Sequence, residues 1–216
     1  NDSASILELT EKLERFIGKP LFHASGFDHP ELLIYTNSSK FLPVPAHWGL
    51  IPSWTKSRSE AKEIWNKTLN ARSESIFEKP AFRESAESKR CIIPIDGFFE
   101  HRHFNGKTYP YFIQQADGNP MNLAGIYSDW TSPESGNEIK TFSIITQKAN
   151  ELMSMIHNNP KIAGPRMPFI LSDAQIEQWL SKTDHGILEE LMESTLPTEL
   201  KAHTVQRLKG KLSTGN

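Results

Sequence analysis

Ten residues organise this chain: Cys91-Ile92-Ile93-Pro94-Ile95-Asp96-Gly97-Phe98-Phe99-Glu100. They begin as an apolar run typical of a β-strand, break at a Pro and an Asp-Gly pair, and resume with two aromatics before a carboxylate. If residues 98–100 are extended, Glu100 shares a face with Phe98. A carboxylate among aromatic side chains loses hydration, which favours its protonated form and suits it to general acid or base catalysis near neutrality. The alternative is a Glu at a strand end that reaches solvent or pairs with Arg102.

The composition is that of a globular protein. A chain of 216 residues can bury a sizeable core, and we expect one domain over residues 1–216. The formal net charge of -2 gives no general attraction to nucleic acid, so such binding would need a local basic face. No apolar run approaches the length of a membrane span, so we expect no membrane partner.

The number of cysteines and the placement of histidines limit the disulfides and metal sites that the chain can form. The single cysteine, Cys91, excludes an internal disulfide and suits a reducing compartment, so we expect a cytoplasmic protein. One Cys and scattered His residues give no metal site, and we expect no cofactor. The sequence does not indicate the oligomeric state.

Short strands at regular spacing, with few long helices, predict a largely β core with peripheral helices. The predicted strands cover residues 32–35, 41–45, 111–115, 123–127, 142–145 and 200–205. Helices are predicted over 4–17, over 147–156 with Thr146 as N-cap, after a capping box of Ser172 and Gln175, and over 187–192. Asn105-Gly106 is a strong hairpin signal.

Three further sites carry candidate functional residues. Trp54 follows Pro52 and leads into a polar run; it is either a stacking platform for a base or a packing residue. Asn70 and Arg72 would point the same way if that pair is extended, and could then hold a phosphate or a sugar oxygen. The alternative is a solvated helical face, because glutamates are interleaved among the basic residues of 60–90. His157 ends a predicted helix, where its cation is favoured, and is either a proton carrier or an ordinary terminal residue.

The order of these motifs resembles the SOS-response-associated peptidase (SRAP) family. The resemblance runs from about Trp48 to Leu180. It rests on Trp48-Gly49-Leu50-Ile51-Pro52-Ser53-Trp54, Asn70-Ala71-Arg72-Ser73-Glu74, Arg90 with the ten residues quoted first, Ala124-Gly125-Ile126-Tyr127, Ile144-Ile145-Thr146, and His157 followed by Arg166-Met167-Pro168.

The resemblance implies a single SRAP domain of α+β class, with a mainly antiparallel, barrel-like β core and peripheral helices. It implies a DNA-damage protein that binds single-stranded DNA and reacts covalently with abasic sites. The family's nucleophile is the cysteine exposed when the initiator Met is removed. Its amine and thiol condense with the ring-opened deoxyribose aldehyde, giving an imine and then a thiazolidine. The same cysteine releases the N-terminal Met, hence the peptidase name.

The resemblance also implies roles for site residues. Asn70 would position the sugar or the cysteine backbone, Glu100 would be the acid/base, and His157 would protonate the sugar ring oxygen. Four further residues would bind the nucleic acid: Arg72 and Arg166 at phosphates, Thr146 in the pocket lining, and Trp54 stacked on a base.

Two features depart from the family pattern. No Met-Cys start is present, so we expect the nucleophile upstream of Asn1, and the activity depends on it. Cys91 lies in an apolar strand and is expected to be an inert hydrophobe. Eight residues, 158–165, separate His157 from Arg166, which is longer than in many relatives and weakens the role of Arg166 more than that of His157.

Two other functions are alternatives to covalent capture of abasic sites. A non-covalent binder of single-stranded or gapped DNA would need Trp54 and Arg72 but neither Glu100 nor His157. A peptidase acting on other proteins has no support, because the sequence offers no justified Ser-His-Asp arrangement and no metal-binding pair.

Overall fold

The computed structural model describes residues 13–16, 19–181, 184–194 and 199–206. Most of the helix predicted over 4–17 lies outside these ranges. The described strands are β1 Glu31–Thr36, β2 Ser39–Trp48, β3 Asn70–Arg72, β4 Arg90–Ile95, β5 Phe98–Phe104, β6 Lys107–Gln115, β7 Met121–Thr131, β8 Glu138–Lys148, β9 Arg166–Pro168, β10 Ile170–Leu171 and β11 Leu200–Thr204. The described helices are α1 Arg58–Trp65, α2 Arg83–Ser88, α3 Glu151–Ile156, α4 Asp173–Leu180 and α5 His185–Glu193, with 3-10 turns at Gly26–Asp28 and Ser73–Ser75.

Five strands close into a barrel in the order β7, β4, β1, β2, β8, with β8 pairing back to β7. The pairing of β2 with β8 is parallel and the other four pairings are antiparallel. β10 adds to the outer edge of β7, while β3 and β9 both pair with β8. The predicted α+β class with a mainly antiparallel, barrel-like core is confirmed.

Three barrel strands, β4, β7 and β8, have residues buried on both faces. Alternating residues such as Ile34, Ile93 and Phe142 form one buried cluster, while Ile126 and Ile145 join a second cluster with residues of α4 and α5. One face of these strands therefore packs in the barrel cluster and the other is covered by helices. This explains why β7 and β8 have nearly continuous buried runs rather than strict alternation.

A second sheet of three antiparallel strands, in the order β11, β6, β5, leans on the barrel through buried Ile113. Its hairpin turns at Asn105 and Gly106, whose φ angles are 49° and 70°. Positive φ at both positions is the requirement of a type I′ turn, so the predicted hairpin is confirmed. This sheet carries Glu100.

The predicted helix over 147–156 is wrong at its start. β8 continues to Lys148, because Thr146 pairs with Arg72 of β3 on one side and Pro168 of β9 on the other. The helix begins only at Glu151, and its N-cap is Asn150, whose side chain accepts the Met153 backbone N–H. Long-range pairing of Thr146 thus outweighs its local capping preference.

The break at Pro94 is also wrong. β4 runs through Pro94, which is exposed and lies opposite Asn122 of β7, and ends at Ile95. The chain then bends at Asp96-Gly97, where a Cβ on Gly97 would lie 2.3 Å from the Phe112 ring. Only glycine lets β4 pass this closely into β5.

The other predicted elements are present with shifted ends. The capping box of Ser172 and Gln175 forms at the start of α4. Within the described ranges, no helix combines the length and apolar character needed to cross a membrane.

Candidate active site

Glu100 and His157 face each other across the junction of the two sheets. The Nε2 atom of His157 lies 3.9 Å from Oε2 of Glu100, and both side chains are about one quarter exposed, at 23% and 26%. The other oxygen, Oε1, accepts the backbone N–H of His101 at 2.7 Å. Arg102, the alternative partner of Glu100, instead lies over the Phe104 ring. At 3.9 Å the carboxylate and the imidazole are too far apart to share a hydrogen bond, but they are close enough for both to act on one bound substrate.

The imidazole of His157 is oriented by the main chain of one residue. His157 is the C-cap of α3, and its Nδ1 lies 2.7 Å from the carbonyl oxygen of Arg166 and 3.0 Å from its backbone nitrogen. A protonated Nδ1 can donate to that carbonyl, and an unprotonated one can accept from that N–H. Nδ1 therefore has a partner in either form while Nε2 faces Glu100.

Arg166 has its side chain committed to neighbouring residues. Its Nη1 and Nη2 donate to the two oxygens of Glu74 at 3.0 and 2.8 Å. Its Nε donates to Oγ1 of Thr146 at 3.2 Å, and Nη2 also donates to the Thr146 carbonyl at 2.6 Å. The Arg166 hydrogen bonds hold the pKa of the Glu74 carboxyl below its usual range, which favours the carboxylate. The bidentate ion pair between the Glu74 carboxylate and the Arg166 guanidinium is called the fork below.

Asn70 and Arg72 present a free polar surface beside this network. Ala71 between them is fully buried, so β3 is extended and both exposed side chains point outward on one face. This meets the condition stated for their joint action. Neither side chain hydrogen-bonds to another residue in the part of the chain that the structure describes. β3 pairs in parallel with β8, which aligns Arg72 with Thr146.

Trp54 stands apart from these contacts. Its side chain is 45% exposed, and its Nε1 donates to the Pro80 carbonyl at 3.4 Å. It lines an open cleft with Pro80, Arg83, Glu84 and Glu87. The Trp54 indole therefore contacts the protein along its Nε1 edge, and its exposed face is available to a ligand.

Two residues of the site were missed by sequence reasoning. Asn158 exchanges two hydrogen bonds with the main chain of His103, at 2.7 and 3.0 Å, and so fastens loop 158–165 to β5. Glu74 was quoted in a motif but given no role. No local sequence signal predicts either role. Asn158 has the pattern of an ordinary loop residue, and Glu74 is 92 positions away in sequence from its partner Arg166.

The only cysteine of the sequence, Cys91, is fully buried in β4. Burial raises the pKa of its thiol far above the usual range, which disfavours the nucleophilic thiolate. The expectation that Cys91 lies in an apolar strand is confirmed, and its inertness stays a prediction. Among the described residues, no group of three His, Cys, Asp or Glu side chains is placed to hold a metal ion.

The architecture matches solved bacterial structures. A protein from Bacteroides thetaiotaomicron superposes with a TM-score of 0.82 at 36% identity, covering 90% of this chain and 82% of that one. A protein from Bordetella bronchiseptica superposes with a TM-score of 0.71 at 26% identity, covering 83% and 85%. The class is thus a closed mixed barrel with a second small sheet.

The SOS response associated peptidase (SRAP) model matches residues 24–211, and this chain belongs to that family. It is similar to the abasic site processing protein YoqW of Bacillus subtilis, at 37% identity over 202 residues, 91% of this chain and 85% of the relative. It is also similar to the abasic site processing protein HMCES of Gallus gallus, at 33% identity, covering 67% and 46%. The predicted family is confirmed.

Proposed function

We propose that this protein binds single-stranded DNA at abasic sites and becomes covalently attached to them. The observation that carries the proposal is the Glu100–His157 pair, 3.9 Å apart. The exposed Arg72 on β3 pairs with Thr146, whose hydroxyl accepts from Arg166, the residue whose main chain contacts His157. Family membership and the names of the abasic site processing relatives support the same reading. We propose that a single domain both binds the DNA and reacts with the abasic site.

Binding would use the exposed polar surface on β3. The Arg72 guanidinium suits a phosphate, and the adjacent Asn70 amide suits a sugar oxygen or the backbone of the nucleophile. Trp54 would hold a base by stacking, which needs no sequence readout. Thr146 would line the pocket, and Arg166, with one guanidinium N–H unused, could add one phosphate contact.

The first chemical step would be opening of the abasic sugar. The cyclic hemiacetal must lose its hydroxyl proton and gain a proton on the ring oxygen before an aldehyde is exposed. We assign delivery of the ring-oxygen proton to His157 and acid/base catalysis to Glu100. Positioned groups of this kind contribute on the order of 100- to 10,000-fold to a rate.

The covalent step would need a cysteine placed directly after the initiator Met, because Cys91 is buried. Its α-amine attacks the aldehyde carbon, water leaves, and an imine forms. Its thiol then adds to the imine carbon, and the thiol proton passes to nitrogen, which closes a thiazolidine. We propose that the same cysteine releases the N-terminal Met.

The test separates chemistry from binding. Glu100→Gln and His157→Ala should each slow crosslinking to abasic single-stranded DNA by about 100-fold, because each removes a proton-transfer group. The Kd for the same DNA should change less than about twofold. Glu78→Gln and His203→Ala, which alter exposed residues elsewhere, are the matched controls.

Rates would be read from quenched time points on denaturing gels, and affinity from fluorescence anisotropy. If both site variants lose binding as much as crosslinking, Glu100 and His157 are structural residues and the proposed roles are wrong.

A further inference from the structure

We infer that Glu74 is a positioning residue, which acts through Arg166 to hold the His157 imidazole toward Glu100. As a statement about the reaction, this rests on the proposed function. As a statement about the imidazole, it stands on the contacts alone. None of the site roles implied by the family resemblance includes Glu74.

First, Glu74 and Arg166 form a bidentate ion pair. Both carboxylate oxygens accept from the guanidinium, at 3.0 and 2.8 Å, which is the parallel geometry that planar pairs favour. Two more bonds reach Oγ1 and the carbonyl of Thr146, so four of the five guanidinium N–H groups are used. The Arg166 side chain is only 18% exposed, whereas that of Glu74 is 44% exposed.

The second step is the main chain of Arg166. Arg166 opens the three-residue strand β9 directly after loop 158–165. Its N–H and C=O both point at Nδ1 of His157, so neither is available to a neighbouring strand. The pairing of β9 with β8 also restrains this segment, including a hydrogen bond from the Ala149 N–H to the Pro165 carbonyl. The side-chain fork adds a further restraint on the peptide groups that hold the imidazole.

The third step is the consequence for proton transfer. With the Arg166 main chain fixed, Nδ1 keeps a partner in both of its forms and Nε2 keeps its 3.9 Å approach to Glu100. Loss of the fork would let Arg166, the first residue of β9, shift. The His157 ring could then rotate about its Cα–Cβ and Cβ–Cγ bonds. A displacement of about 1 Å at a catalytic group can cost on the order of 100-fold in rate.

A competing role for Glu74 is electrostatic. Its carboxylate could occupy Arg166 in place of a DNA phosphate, and its removal would then strengthen DNA binding. The contacts favour positioning, because the Arg166 side chain is mostly buried and Thr146 would still hold its Nε and Nη2 after Glu74 was removed.

The experiment records imidazole 15N spectra of the DNA-free protein, with the His157 signals assigned by His157→Ala. In Glu74→Ala these signals should move, and in Glu74→Gln they should move less, because the amide keeps one acceptor. They should stay in place in Glu78→Ala, an exposed glutamate four positions on. Arg166→Lys, which keeps the charge but loses the fork, should reproduce the Glu74→Ala change.

Crosslinking by Glu74→Ala should fall about tenfold with the Kd for single-stranded DNA unchanged. Unmoved His157 signals, or tighter DNA binding by Glu74→Ala, would overturn the inference. If the unmodified protein captures no abasic DNA, the proposed function fails, and the imidazole spectra still decide the role of Glu74.

Discussion

At the scale of single residues, two nearby arginines differ in what they can still bind. The Arg72 side chain is exposed and makes no hydrogen bond to another described residue, while the Arg166 side chain donates four N–H groups to Glu74 and Thr146. Both lie against Thr146, one by strand pairing and one by its side chain. Arg72 is therefore the better candidate for a DNA phosphate.

This difference gives a salt-dependence prediction. Arg72→Ala should weaken binding to single-stranded DNA, and the slope of log affinity against log salt should become shallower by about 0.7, the value for one lost phosphate contact on a single strand. Anisotropy titrations at four salt concentrations measure it, with exposed Arg58→Ala on α1 as control. An unchanged slope would remove Arg72 from the phosphate contacts.

Residue-level reasoning reached only part of this site. Alternation along a strand predicted that Asn70 and Arg72 share a face if the pair is extended, and β3 meets that condition. The Glu74–Arg166 fork and the Asn158–His103 contact join residues that only the folded chain brings together. Sequence spacing carries no information about such pairs.

At the scale of elements, buried Arg90 joins two helix ends. Its guanidinium donates to carbonyls of Ala86 and Glu87 at the end of α2 and of Trp179 and Ser181 at the end of α4. Carbonyls in the last turn of a helix have no intrahelical partner and carry partial negative charge. One arginine thus satisfies both ends.

Removing this arginine should be costly. Arg90→Met leaves two buried and two partly buried carbonyls without this donor, and we expect about 3 kcal/mol less free energy of unfolding. Urea denaturation measures it, with Arg58→Met, an exposed arginine on α1, expected within about 0.5 kcal/mol of the unmodified protein. A loss below 1 kcal/mol in Arg90→Met would contradict the structural role.

The Asn158 side chain joins the start of loop 158–165 to β5. Asn158→Ala removes both hydrogen bonds to His103, so the His103 amide on the edge of β5 should exchange with solvent at least about tenfold faster. Asn159→Ala, in the same loop, removes only a local bond to Lys161 and should leave that amide unchanged. Hydrogen-exchange NMR reads both. Equal protection in the two variants would show that the loop is held by other contacts.

Element prediction succeeded where local and long-range preferences agree. The Asn105-Gly106 hairpin and the Ser172 capping box formed as predicted, because each is decided within a few residues. The helix start failed at Thr146, where pairing with β3 and β9 outweighed a local cap. Barrel closure through the parallel pairing of β2 with β8 has no local signature.

At the scale of the whole molecule, the candidate site needs both sheets. Glu100 comes from the three-stranded sheet, Asn70 and Arg72 come from a strand added to the barrel, and His157 follows the helix after β8. Glu100 and His157 meet directly, and β3 is linked to them through Thr146 and Arg166. We propose that the Glu100–His157 site supports covalent capture of an abasic site by an N-terminal cysteine.

The most direct measurement is a denaturing gel of the protein with its natural start, incubated with single-stranded DNA that carries one abasic site. We predict a shifted band that survives denaturation and is lost when the cysteine after the initiator Met is replaced. The absence of that band, from protein whose intact mass confirms a free N-terminal cysteine, would contradict covalent capture and leave non-covalent DNA binding as the function.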